Sequence, residues 1–139
     1  LRLVSIRIQS EKEYWQKLGK KFSKPIIGNC LDRLRELGYA DDHKFAHLWV
    51  KERSKKSGRR LLEIELSQKG INKLIIDEEL ENISETDELA AAVNQGMKKF
   101  NSKLSRTDNY KKILNLLTRK GFSYTISKSA FEIINKTTV

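Results

Sequence analysis

The chain has 139 residues, a length that suits one domain or a short array of repeats. Hydrophobic residues supply 38% of it, enough for a thin core, and no uninterrupted apolar run approaches membrane-spanning length. A net charge of +10 suggests a polyanionic partner, whether nucleic acid, an acidic protein face or an anionic membrane, and the lone Cys30 excludes both an internal disulfide and a multi-cysteine zinc site.

Leu1 to Ile8 is apolar but is interrupted by Arg2 and Arg7, unlike a secretory signal. A first residue that is Leu rather than Met leads us to expect a missing upstream piece of a soluble, cytoplasmic protein. One proline and few alternating segments predict an all-α chain. Three segments, Lys21-Phe22-Ser23, Gly70-Ile71-Asn72 and Gly121-Phe122-Ser123, recur roughly fifty residues apart. In each, a large apolar residue precedes Ser or Asn, and apolar residues follow at helical spacing. Ser23, Asn72 and Ser123 are the expected N-caps, each with an apolar staple before it, and Pro25 falls harmlessly in a first turn.

A helix is expected before each copy: Glu11 to Leu18, Arg59 to Lys69, and Asp108 to Lys120. A further helix opens the second and third copies, Asp42 to Ser54 and Thr86 to about Lys103, whereas only the stretch 1–7 remains to supply one in the first. The reading is three tandem three-helix, helix-turn-helix-like units in an elongated array, spanning 1–37, 38–83 and 84–139, the first shortened. The first copy lacks the glycine of the other two, and Leu18 stands one residue closer to Phe22 than Leu66 to Ile71 or Leu117 to Phe122, so that junction should be built differently. Trp15, Phe22, Phe45, Trp49 and Phe122 lie on apolar stripes and are expected to pack in the core or between units. Cys30 is expected to be a buried thiol.

The stretch Leu37-Gly38-Tyr39-Ala40-Asp41-Asp42 reads as a helix end, a tight turn and a new helix start. Gly38 can close the helix with a left-handed backbone, Asp41 can cap the next, and Asp42 suits the positive end of its dipole. Phe45, Ala46, Leu48 and Trp49 follow on the new helix.

Charge is clustered. Lys51, Arg53, Lys55, Lys56, Arg59 and Arg60 crowd one junction, and Lys98, Lys99, Lys103, Arg106, Lys111, Lys112, Arg119 and Lys120 form a second basic region. An acidic run from Asp77 to Glu88 separates them and reads as a helix and connector. At the first junction Ser57-Gly58 opens a helix, so backbone N–H groups beside several cations suggest an anion cradle. No catalytic constellation emerges. His43 and His47 share a helical face but make an incomplete metal site, Asp41 and Asp42 are more simply a cap, and no glycine-rich phosphate loop ends in Lys-Ser or Lys-Thr. Neither a cofactor nor a metal is expected.

Two blocks are more specific. Leu34 to Asp42 with Phe45-Ala46, then Gly58-Arg59-Arg60 and Glu65 to Ile71, resemble the RecX family, and the triple three-helix layout is similar to its tandem repeats. The resemblance implies a non-enzymatic regulator in recombination, repair and the SOS response. Such a protein docks in the groove of RecA filaments on DNA and most often inhibits ATP hydrolysis, strand exchange and coprotease activity. It implies a structural role for Leu37, Gly38, Tyr39, Asp41, Asp42, Phe45 and Ala46 and carries over Arg59 and Arg60 as functional candidates. With the charge pattern, the expected partner-binding set is Arg53, Lys55, Lys56, Arg59, Arg60, Lys98, Lys99, Lys103 and Arg106. The expected partners are the RecA filament and single- or double-stranded DNA, with no membrane and a monomeric chain. The alternative is a general DNA-binding helical repeat protein without a recombinase partner.

Overall fold

A computed structural model describes residues 9–138, which form eight α-helices and no strand. They are α1 (Glu11–Leu18), α2 (Lys24–Glu36), α3 (Asp42–Arg53), α4 (Arg59–Gln68), α5 (Lys73–Glu81), α6 (Glu85–Met97), α7 (Arg106–Arg119) and α8 (Tyr124–Thr138). The stretch 1–7, expected to supply the opening helix of the first unit, lies outside the described residues.

Three apolar clusters succeed one another along the chain. Ile27, Leu31 and Ala40 are buried with Tyr14, Leu18 and Leu34 against them. Phe45, Ala46, Val50, Leu62, Leu66, Ile71, Ile76 and Leu80 form the second cluster, from α3, α4 and α5. Ala91, Ala92, Ile113, Leu117, Phe122, Ala130, Phe131 and Ile134 form the third, from α6, α7 and α8. The helix starts follow local chemistry. Asp41 and Asn72 accept backbone N–H bonds from Lys44 and Leu74, and the Ser123 hydroxyl accepts from Ile126. Ser23 occupies its N-cap position without a side-chain bond. Three further caps are Ser-x-x-Glu or Ser-x-x-Asp patterns: Ser10, Ser84 and Ser105 accept from the N–H groups of Glu13, Asp87 and Asp108. They start α6 and α7 earlier than the apolar pattern suggested, and α6 ends at Met97 rather than near Lys103.

Helix ends are equally specific. Gly38, Gly70 and Gly121 are the residues with positive φ among those described, at 81°, 81° and 91°. After each, the next N–H returns to a carbonyl five residues back: Tyr39 to Leu34, Ile71 to Leu66, and Phe122 to Leu117. The turn from α1 to α2 has no such glycine, and Phe22 bonds Leu18 four residues back. The missing residue changes what is buried. Ile71 and Phe122 fold under their units, whereas Phe22 remains 48% exposed. Trp15, at 38% exposed, and Cys30 also depart from expectation, because each stands one position from the inward stripe of its helix, about 100° around the axis. Phe45 and Phe122 are buried, and Trp49 is half-buried, stacked on Phe45 at 5.6 Å.

The clusters are joined in two ways. Between the first and second, side chains carry the contact. The half-buried Asp42 accepts the N–H of Glu11 at 3.1 Å, Lys12 Nζ donates to the Gln68 carbonyl at 3.1 Å, and Lys69 pairs with Glu13 at 3.2 Å. Between the second and third, backbone meets backbone. The N–H of Gly58 donates to the Lys120 carbonyl at 2.8 Å, and that of Arg60 to the Gly121 carbonyl at 3.2 Å. A Cβ on Gly58 would overlap the backbone of Gly121 and Phe122, and one on Gly121 would overlap Leu61.

Gly121→Ala should therefore lose at least about 1–2 kcal/mol from its left-handed backbone alone, with the overlap adding to that. Gly28→Ala, in open space within α2, should gain about 0.5–1 kcal/mol. Urea denaturation of the two variants measures both.

Burial raises the pKa of the Asp42 carboxyl, against the lowering effect of the Glu11 N–H. The folded chain therefore holds this proton more tightly than the unfolded chain. Its contribution to stability grows as pH falls through the raised pKa toward the ordinary carboxylate value, opposite to a salt-bridged carboxylate. Asp42→Asn should keep the acceptor and flatten this pH dependence. Asp42→Ala should cost about 0.5–2 kcal/mol, as expected for a lost N-terminal acceptor. Denaturation midpoints compared at pH 4.5 and pH 7 separate the two effects.

Candidate functional site

The first basic cluster lies where α3 ends and α4 begins, and the structure divides its members. Arg53 forks onto Glu65 at 2.7 and 3.3 Å, and the same carboxylate accepts the Trp49 indole N–H at 3.1 Å. Arg59 turns under α4 and caps the end of α5. Its guanidinium donates to the Leu80 carbonyl at 2.8 Å and to the Ile83 carbonyl, and its Nε lies 3.4 Å from the buried Glu88 on α6. Lys55 stands 3.8 Å from Glu52 at the surface, a pair of little consequence. Lys51, Lys56 and Arg60 are exposed and make no ion pair among the described residues. The expected anion cradle is filled from within, because two of its N–H groups are given to the carbonyls of Lys120 and Gly121.

The second basic region is less committed. Lys98, Lys99 and Lys103 follow α6, exposed and without an ion pair among the described residues. The loop that carries them is held by Asn109, which sequence reasoning did not single out. This buried side chain accepts the Asn101 N–H at 3.0 Å and donates to the Asn101 and Leu104 carbonyls at 3.0 and 3.4 Å. Its signal was a polar residue on the inward face of α7, four residues after the Ser105 cap and on the Ile113–Leu117 stripe. Arg106 pairs with Glu132 at 2.7 Å and lies 5.3 Å from the centre of the Phe131 ring. Lys111 and Lys112 are exposed on α7.

The motif around Gly38 holds structure together. Leu37 and Gly38 end α2, the Tyr39 carbonyl accepts the Tyr14 hydroxyl at 2.9 Å, and Ala40 enters the first cluster. Asp41 caps α3, Asp42 reaches α1, and Phe45 and Ala46 enter the second cluster. His47 lies 3.1 Å from Glu79, and among the described residues no three His, Cys, Asp or Glu side chains converge as a metal site. No helix among those residues is long and apolar enough to cross a membrane.

Residues 41–80, the span of α3 to α5, match the second three-helix domain of RecX. A regulatory protein RecX from Chlorobium phaeobacteroides is 41% identical over 139 residues, covering 96% of this chain and 89% of that protein. The chain belongs to the RecX family. A RecX from Clostridium botulinum is 33% identical over 97% of the chain, which spans 66% of that relative's length. The fold agrees as well. The crystal structure of RecX from Lactobacillus salivarius superposes with a TM-score of 0.80 at 23% identity, over 98% of this chain and 92% of that one. Membership in the RecX family gives the chain a regulatory role.

Arg59→Ala should leave the Leu80 and Ile83 carbonyls and the Glu88 carboxylate without their partner and cost about 1–3 kcal/mol. Arg60→Ala should change stability by no more than about 0.5 kcal/mol. Equal losses in urea denaturation would contradict the division of this pair.

Proposed function

We propose that the chain is a non-enzymatic regulator of the RecA recombinase that docks on the RecA filament on DNA. Docking lowers the filament's ATPase, strand-exchange and coprotease activities. Three repeat units, 1–37, 38–83 and 84–139, present the contact surface. Membership in the RecX family supports the partner, and the charge of +10 supports a polyanionic filament. The observation that carries the reading is the Lys98–Lys103 segment: three exposed lysines without an ion pair among the described residues, on a loop fixed by Asn109. Flexible ammonium groups on a held loop suit phosphates or carboxylates without demanding one bidentate geometry. Lys51, Lys56 and Arg60 extend the surface from the second unit. Arg53, Arg59 and Arg106 support it by fixing helices.

Titration into a RecA ATPase assay on single-stranded DNA should depress the rate. Lys98→Ala, Lys99→Ala and Lys103→Ala together should require more protein for the same effect. The slope of log affinity against log salt should shrink by about 0.7–0.9 for each phosphate contact removed. An unaltered ATPase rate, with equal affinity for naked DNA and filament, would favour a DNA-binding protein without a recombinase partner.

A further inference from the structure

A cleft of about 640 Å³ opens where α4 meets the end of α7 and the start of α8, within the range of small-ligand sites, about 300–1,000 Å³. Arg60, Glu63, Thr118, Phe122 and Tyr124 line it. Tyr124, the first residue of α8, is 62% exposed and presents an aromatic ring at the cleft.

The ring of Tyr124 is not loose. Its hydroxyl is 3.1 Å from that of Tyr110, and the Tyr110 ring stands edge-on to the buried Phe131 at 5.1 Å and 89°. An exposed aromatic face is thus held by its tip from the core of the third unit. Arg60, which also lines the cleft, is exposed and makes no ion pair among the described residues. Glu88 also lines the cleft, but Arg59 lies against it. The remaining carboxylate, Glu63, is exposed one helical turn after Arg60 and lines the same cleft. A carboxylate ligand from a protein would use Arg60 and have no need of a restrained ring. An unpaired base needs both, because bases stack on aromatic faces while their phosphates meet cations.

We propose that this cleft takes one unpaired base of single-stranded DNA, stacked on Tyr124, with the adjoining phosphate against Arg60. The inference rests on the DNA component of the proposed function and names where a strand is read. A duplex offers no unstacked base, so the site discriminates strandedness rather than sequence.

The test is fluorescence anisotropy with a labelled 20-nucleotide oligo-dT and a matching duplex, on the full chain. Tyr124→Ala should weaken single-strand binding roughly tenfold or more, within the range measured for lost base stacking. Tyr124→Phe, which keeps the ring face but loses the hydroxyl tether to Tyr110, should weaken binding less than Tyr124→Ala does. Tyr124→Leu should behave like Tyr124→Ala, and duplex affinity should not change in any of them. Photocrosslinking to an oligo containing 5-iododeoxyuridine should map to Tyr124. Single-strand affinity unaltered in Tyr124→Ala would overturn the cleft assignment while leaving DNA binding in place. Failure of the unaltered chain to bind oligo-dT would remove the DNA component and this inference with it. Loss of filament binding in Arg60→Ala, without any effect of Tyr124→Ala on DNA, would assign the cleft to an acidic protein face and overturn the proposal.

Discussion

Two glycines in contact set the geometry of the second and third units. The start of α4 carries unsatisfied N–H groups and the positive end of a helix dipole, and the end of α7 carries unsatisfied carbonyls and the negative end. Here each end satisfies the other: Gly58 and Arg60 donate to Lys120 and Gly121. The approach is possible because neither glycine has a Cβ, and Gly121 also supplies the left-handed turn at 91°. With the backbones this close, Arg59 is aimed into the gap between α5 and α6, while Arg60 is left at the surface beside Tyr124. The joint to the first unit lacks such a feature. It depends on Asp42, Lys12 and Lys69, and so on the protonation and screening of side chains.

The same joint explains why charge alone is a poor guide to the interface. Arginines in the basic clusters are largely committed, because a planar fork can satisfy a carboxylate or two carbonyls at once. Arg53 does so with Glu65, Arg59 with Leu80 and Ile83, and Arg106 pairs with Glu132. The lysines after α6 have no comparable partner among the described residues and remain solvated. The proposed docking on a polyanionic filament would gain from this division. Rigid pairs hold the helices, and flexible ammonium groups make contacts that salt can loosen.

Much of the architecture was legible because its signals are local. Asn72 and Asp41 announce helix starts by their own side chains, and Gly38, Gly70 and Gly121 announce helix ends by the backbone they alone adopt readily. The departure in the first repeat was legible too, since the spacing of Leu18 and Phe22 forbids the turn made by the other two. The Ser84 and Ser105 caps were equally local but were outweighed by the apolar pattern, which misplaced the starts of α6 and α7. Trp15, Phe22 and Cys30 show the limit of periodicity. A stripe locates a helix face only to within one position, and one position separates core from solvent. The fate of Arg59 could not be read locally, because the carbonyls it meets lie 21 and 24 residues on and their direction depends on how α5 ends. The cradle at Gly58 looked available for an anion because its occupant, the end of α7, is remote in sequence.

Amide hydrogen exchange at Gly58 and Arg60 tests the backbone joint most directly. If these N–H groups lie in a fixed seam between the second and third units, they should exchange only through the opening that also exposes core amides such as Leu66 and Leu117. Rapid exchange at Gly58 and Arg60 while Leu66 and Leu117 stay protected would show that the units move independently, and the joint would no longer account for the placement of Arg59, Arg60 and the cleft.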